Sequence, residues 1–201
     1  LLDARNVAHP LMPPDKAVAN SLAVEAPGQT VLITGSNMSG KSTFLRTLGV
    51  NIVLAQAGAV VAAERFSLRP LRLFTSMRTQ DSLEESTSSF YAELKRLQTL
   101  LHLTQADDER PVLYLLDEIL KGTNSADRHR GAEALIRQLH SLNAAGLVST
   151  HDLELGRMAD ETDYVANYHF QSDLYEGELV FDYRLRPGVC TSFNASQLMR
   201  A

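Results

Sequence analysis

The stretch Val31-Leu32-Ile33-Thr34-Gly35-Ser36-Asn37-Met38-Ser39-Gly40-Lys41-Ser42-Thr43 decides the fold. Its first four residues are apolar and largely β-branched, which suits a pleated, buried strand. The next eight match a phosphate-cradling P-loop at every fixed position: two glycines five residues apart, then lysine and a hydroxyl. In such a loop the backbone N–H groups converge on phosphate oxygens, and the helix that starts behind them turns its positive dipole end toward the anion. Nucleotide binding is therefore expected through Gly35, Ser36, Asn37, Met38, Ser39, Gly40, Lys41, Ser42 and Thr43. Lys41 is expected on the β and γ phosphates and the Ser42 hydroxyl on Mg²⁺.

Working outward, Phe44, Leu45, Leu48, Ile52, Val53 and Ala57 recur at helical spacing, with Gly58 as a stop. Val112-Leu113-Tyr114-Leu115-Leu116 is an unbroken apolar run, the mark of a central parallel strand covered on both faces. Leu147-Val148-Ser149-Thr150 reads as another strand. Helical patterns cover about 88–103, with Phe90, Leu94, Leu97, Leu100 and Leu101 on one face, and about 126–143. Residues 59–79 look extended and interrupted. Residues 1–29 are Pro-rich and irregular apart from Ser21-Leu22-Ala23-Val24, read as an edge strand or hairpin. The alternation predicts an α/β fold: a P-loop NTPase with a central, largely parallel sheet flanked by helices, and an antiparallel edge.

Asp117 ends the buried strand, where an α/β sheet presents its ligand-binding edge, and is expected to hold Mg²⁺ with Ser42. Glu118, one residue on, is the candidate base that orients and deprotonates a water. His151 ends the next strand and is placed to hydrogen-bond near a γ-phosphate. Ser86-Thr87-Ser88-Ser89-Phe90-Tyr91-Ala92-Glu93 offers hydroxyls at a helix start. Capping alone accounts for such a run, yet a helix N-terminus is also an anion site, for this chain's nucleotide or a neighbour's. His129 and His140 lie among charges and read as solvated; no zinc site is expected. Cys190, the single cysteine, reads as a small buried apolar residue in a reducing compartment.

Across 201 residues the formal net charge is −5, with 44% hydrophobic and 21% charged residues. That balance argues against a DNA-wrapping surface, because such a surface neutralises phosphates with Lys and Arg. There is no apolar run near the ~18 residues of a membrane span, and no membrane contact is expected of this segment. The chain opens on Leu1 without Met and stops inside a helical pattern at Leu198-Met199-Arg200-Ala201. One domain cut from a longer cytoplasmic protein is expected: lead-in strands over 1–29, the core over 30–190, and the start of a further helix over 191–201.

Taken together, the Thr34–Thr43 run, Ser88-Ser89-Phe90 with Glu93, Leu116-Asp117-Glu118 followed by Gly122-Thr123-Asn124-Ser125, and Ser149-Thr150-His151 resemble the ATPase domain of the MutS DNA mismatch-repair family, in order and spacing, over about 7–198. Asn37-Met38 inside the loop and Gly122-Thr123 after Glu118 carry the resemblance. The resemblance implies an ABC-type ATPase that hydrolyses ATP to ADP with Mg²⁺, catalysis resting on Lys41, Glu118 and His151. It also implies a homodimer in which Ser88 of one copy completes the nucleotide site of the other, with Asn37 and residues 124–127 near the seam. Residues from Ser192-Phe193-Asn194 onward are similar to the start of its dimerisation helices, and DNA would be held by domains outside this chain. The chain departs from the family pattern at Ala17, where an aromatic often stacks on adenine, at Ser36 and Ser39, which replace Pro and Gly, and at Ser76, which replaces Arg. Tyr183 is the candidate substitute ring, or else a strand core residue.

Overall fold

A computed structural model describes residues 1–77 and 86–191, with side chains from 89 onward in the second segment. Two sheets form. The larger has six strands in the order β5 (Arg72–Ser76), β6 (Val112–Asp117), β7 (Ala145–Thr150), β3 (Thr30–Thr34), β8 (Val165–Tyr175) and β9 (Glu178–Pro187). The first five run parallel, and β9 closes one edge antiparallel to β8. β1 (Leu2–Val7) lies between β2 (Asn20–Val24) and β4 (Arg65–Leu68) in a small antiparallel sheet. Four α-helices accompany them: α1 (Lys41–Gln56), α2 (Ser86–Gln105), α3 (Ser125–Ser141) and the short α4 (Met158–Glu161).

The parallel sheet is covered on both faces, as unbroken apolar strands require. Along β6, Val112, Tyr114 and Leu116 pack with Leu97 and Leu100 of α2 and Leu135, Ile136 and Leu139 of α3. Leu113 and Leu115, on the opposite face, join Phe44, Leu45, Leu48 and Ile52 of α1. The second face continues through Leu2, Ala4, Leu22 and Val24, so the small sheet is stapled to the large one by a shared core. None of the helices among the described residues is long and apolar enough to cross a membrane.

Two parts differ from the sequence reading. Residues 2–7 form a regular strand inside the stretch read as irregular; Leu2, Ala4 and Val7 are buried, but a bulge between Ala4 and Val7, with Asn6 at φ 46°, breaks the period-two pattern. The antiparallel edge expected of the sheet is the β8–β9 hairpin, whose position the sequence did not mark, because β9 is mostly exposed and its one apolar run, Leu179-Val180-Phe181, is short.

Candidate nucleotide-phosphate site

Strands β3, β6 and β7 are neighbours in parallel register, so their carboxyl ends bring three separate stretches of sequence to one sheet edge. β3 delivers the turn Gly35–Gly40; β6 delivers Asp117 and Glu118; β7 delivers Ser149 and His151. Gly35 and Gly40 have φ of 149° and 114°. A Cβ on Gly35 would fall 2.7 Å from the Phe170 carbonyl oxygen, so both conformation and space demand glycine there. Gly40 then caps α1, which leaves the first N–H groups of that helix directed at the turn.

The charged groups of this edge are interlocked. The Lys41 ammonium donates to the carbonyls of Gly35 and Ser36 at 2.7 and 2.9 Å and lies 3.9 Å from Glu118 Oε1. Burial lowers its pKa, and the Glu118 and Asp117 carboxylates work against that shift. Ser42 Oγ donates to Asp117 Oδ2 at 2.8 Å, while Ser149 Oγ donates to Oδ1 at 2.5 Å. Asp117 is 6% exposed and Ser149 fully buried. The Glu118 N–H is held by Ser149 as well, through its carbonyl and hydroxyl oxygens at 3.1 Å each. This fixes Glu118 at φ 51°, a conformation that non-glycine residues seldom adopt and that turns its side chain into the cleft. His151 lies between two acceptors, with Nδ1 3.1 Å from the Gly35 carbonyl oxygen and Nε2 2.5 Å from Glu118 Oε1. Lys121, one turn after Glu118, contacts its other carboxylate oxygen. Burial pushes the Glu118 carboxyl up, but the hydrogen bonds and charges of His151 and Lys121 outweigh it and hold the pKa at about 2.

Lys41, Ser42 and Glu118 line one cleft of about 760 Å³ together with Ser36, Asn37, Met38, Gly40 and Thr43, and Asp117 and His151 join its wall through their contacts with Ser42 and Glu118. Its far end is built by Val7, His9, Met12, Lys16, Val18 and Asn20 of the lead-in segment and by Tyr183 of β9. Tyr183 is no core residue: it is 44% exposed, at φ 56°, with its ring over Gly40. Asn20 ties this wall together, donating from Nδ2 to the Tyr183 carbonyl at 2.9 Å and accepting from the Leu185 N–H at 2.9 Å.

The structure thus gathers Ser36, Asn37, Met38, Gly40, Lys41, Ser42, Thr43, Glu118 and Tyr183 around a single cleft, with Asp117 bonded to Ser42 and His151 to Glu118 behind its wall. The Ser88 side chain lies outside the described residues, as do residues 192–201. Ser89 is exposed, and Glu93, rather than capping its own helix, accepts the Leu120 N–H at 2.6 Å, its carboxyl pushed up by burial and pulled back by that bond. Cys190 is buried. His129 and His140 are half-buried and partnered rather than freely solvated. His129 Nδ1 meets Asp152, and the His140 ring stacks on Tyr164 at 3.5 Å with Nδ1 3.1 Å from the Gly28 carbonyl oxygen. Helical periodicity places a residue on its own helix but says nothing of the element that packs across from it. Sequence reasoning also passed over Ser149 as a separate actor, although it holds Asp117 and Glu118 together, and over Lys121, whose spacing from Glu118 was the available signal.

Comparison with known proteins gives the family. The model for MutS domain V matches residues 31–197. The DNA mismatch repair protein MutS of Salinibacter ruber is 35% identical over 197 residues, 93% of this chain and 21% of the relative. The DNA mismatch repair protein MutS of Bacillus licheniformis is 34% identical over 193 residues, 94% and 22% respectively. MutS protein homolog 4 of Mus musculus is 33% identical over 187 residues, 90% and 19%. The chain spans about a fifth of the length of these relatives. With the matched region running from β3 through the whole of the large sheet, this chain belongs to the MutS family and represents its domain V.

Proposed function

We propose that this domain binds ATP with Mg²⁺ and hydrolyses it to ADP and phosphate, as the motor of a DNA-processing protein. The observation that carries the reading is the contact of Ser42 with Asp117, and of Lys41 and His151 with Glu118, at one sheet edge fed by three strand ends. Ser42 and Asp117 fit Mg²⁺: they are adjacent hard oxygen donors, and this ion takes few protein ligands because phosphate and water supply the rest. When bound there, the ion neutralises charge on the phosphate oxygens. Lys41, now on two carbonyls, exchanges them for β- and γ-phosphate oxygens. Glu118 orients a water and takes its proton as the water oxygen bonds to the γ-phosphorus; the bond to the bridging oxygen breaks and ADP leaves. The contacts of His151 and Lys121 lower the Glu118 pKa and so keep the carboxylate ionised. His151 hydrogen-bonds beside the same phosphate. Tyr183 supplies the ring for adenine that Ala17 lacks.

We further propose that the working unit is a homodimer in which Ser88 completes the partner's site, with DNA bound by parts of the protein beyond this chain. Relatives named as DNA mismatch repair proteins support a role in that process.

Phosphate release and binding of a fluorescent ATP analogue test the reading together. Lys41→Ala is expected to abolish binding. Glu118→Gln is expected to keep Mg²⁺-dependent binding while turnover falls by about 10²-fold or more. Unchanged affinity in the first variant, or unchanged turnover in the second, would remove the assignment.

A further inference from the structure

His129 takes part in none of these steps, yet the structure gives it a defined partner. It lies one turn into α3, just past the segment 124–127, and its Nδ1 is 2.5 Å from Asp152 Oδ2. A carboxylate can only accept, so this ring nitrogen is the donor. Nε2 faces Glu133 at 3.9 Å. The imidazole is 32% exposed and the aspartate 23%, so the contact is sheltered, and it is charge-assisted on the acceptor side.

Asp152 directly follows His151. Its Oδ1 accepts the N–H groups of Glu154 and Leu155 at 3.0 and 3.3 Å, starting the 3₁₀ turn Leu153–Arg157, and its own N–H donates to Thr150 Oγ1 at 3.0 Å. The turn that carries His151 is therefore pinned by Asp152, and the remaining oxygen of Asp152 is pinned by α3. We infer that His129 is a positioning residue for His151: through Asp152 it aims that imidazole at Glu118 and Gly35, and it links this aim to the seating of the α3 N-terminus. The inference rests on the hydrolytic reading above. A merely structural role is not enough to account for the contact, because Asp152 caps the 3₁₀ turn with its other oxygen and would go on doing so without His129. What the loss of His129 frees is the rotation of the carboxylate and of the backbone next to His151.

The test compares parent, His129→Leu and His129→Asn chains. The asparagine amide nitrogen stands where ring Nδ1 stands and can donate to Asp152; leucine cannot. With ATP and Mg²⁺, His129→Leu is expected to lower kcat about tenfold while KM and the unfolding midpoint stay near the parent values, and His129→Asn to recover most of the loss. In a His151→Ala background, His129→Leu should add nothing, since it acts only through that ring. Parent-like kcat in His129→Leu, or an equal further loss in the His151→Ala background, overturns the inference and leaves the ATPase reading standing. If the parent itself released no more phosphate than Lys41→Ala, the hydrolytic reading would fall instead. The histidine ring ¹H–¹⁵N spectrum then decides the positioning separately. His151 signals that move in His129→Leu and return in His129→Asn support it, and signals that stay put overturn it.

Discussion

Glu118 shows how much one residue can be asked to hold. Its backbone is kept at φ 51° by two bonds to Ser149, and its side chain is surrounded by Lys41, Lys121 and His151. Burial pushes the carboxyl up, but the hydrogen bonds and charges of His151 and Lys121 outweigh it and hold its pKa at about 2 against an ordinary value of 4.5. A carboxyl depressed in the folded state stabilises the fold fully above its unfolded pKa and loses that contribution as pH falls toward the folded value. The parent chain is accordingly expected to be more stable than Glu118→Gln near neutrality, with the difference shrinking as pH is lowered from about 5 to about 3. Urea unfolding of both chains across that range checks the sign. A difference that grows on acidification would mean that burial, not the contacts with His151 and Lys121, governs this carboxyl. Such an arrangement was only half legible in the sequence. Adjacent carboxylates after a buried strand announced their position, but the positive φ and the clamp by Ser149 depend on β7 lying next to β6, and no local pattern encodes that neighbour.

At the scale of elements, strand-end chemistry was readable because β3, β6 and β7 are nearly free of polar interruption, and an unbroken apolar run ending in a polar residue marks its own boundary. The same signal fails for β1, β4 and β9, which lie in the small sheet or at an edge: β1 mixes buried with exposed residues, and no residue of β4 or β9 is buried. The centre of the sheet is also where packing is least forgiving. Gly146 pairs with Tyr114, and a Cβ built on it would come within 2.1 Å of the Tyr114 carbonyl oxygen and 2.3 Å of its ring. The tyrosine is fully buried, its hydroxyl 2.5 Å from Thr30 Oγ1 on β3 and its pKa pushed up by burial, so the ring is fixed at both ends and cannot yield. Gly146→Ala therefore forces β6 and β7 apart and is expected to cost roughly 3 kcal/mol, large for a single methyl group. Denaturant midpoints measure it; a loss below about 1 kcal/mol would show that the strands can shift without breaking register.

For the molecule as a whole, the question is whether one copy contains a complete site. One sheet edge already brings together the glycine-rich turn, both carboxylates and His151, and Asn37 and Met38 stand exposed beside the cleft. The Ser88-Ser89-Phe90 segment opens α2, whose core-facing residues pack on the sheet face opposite α1, so it belongs to the other layer of the domain. A helix N-terminus is an anion site, and one on that other layer of the domain is the placement expected if it serves a neighbour's phosphates. If sites are shared, two defective chains can repair each other. Lys41→Ala removes the cation of one cleft, and Ser88→Ala removes the hydroxyl offered to the other. Neither variant can build a working site from copies of itself, but a mixed dimer holds one site made of an intact cleft and an intact helix start. Mixing the two is expected to restore part of the parent phosphate release, approaching one active site in four when equal amounts pair at random. No recovery, in a preparation shown by sedimentation to dimerise with ATP, would place the whole site within a single chain.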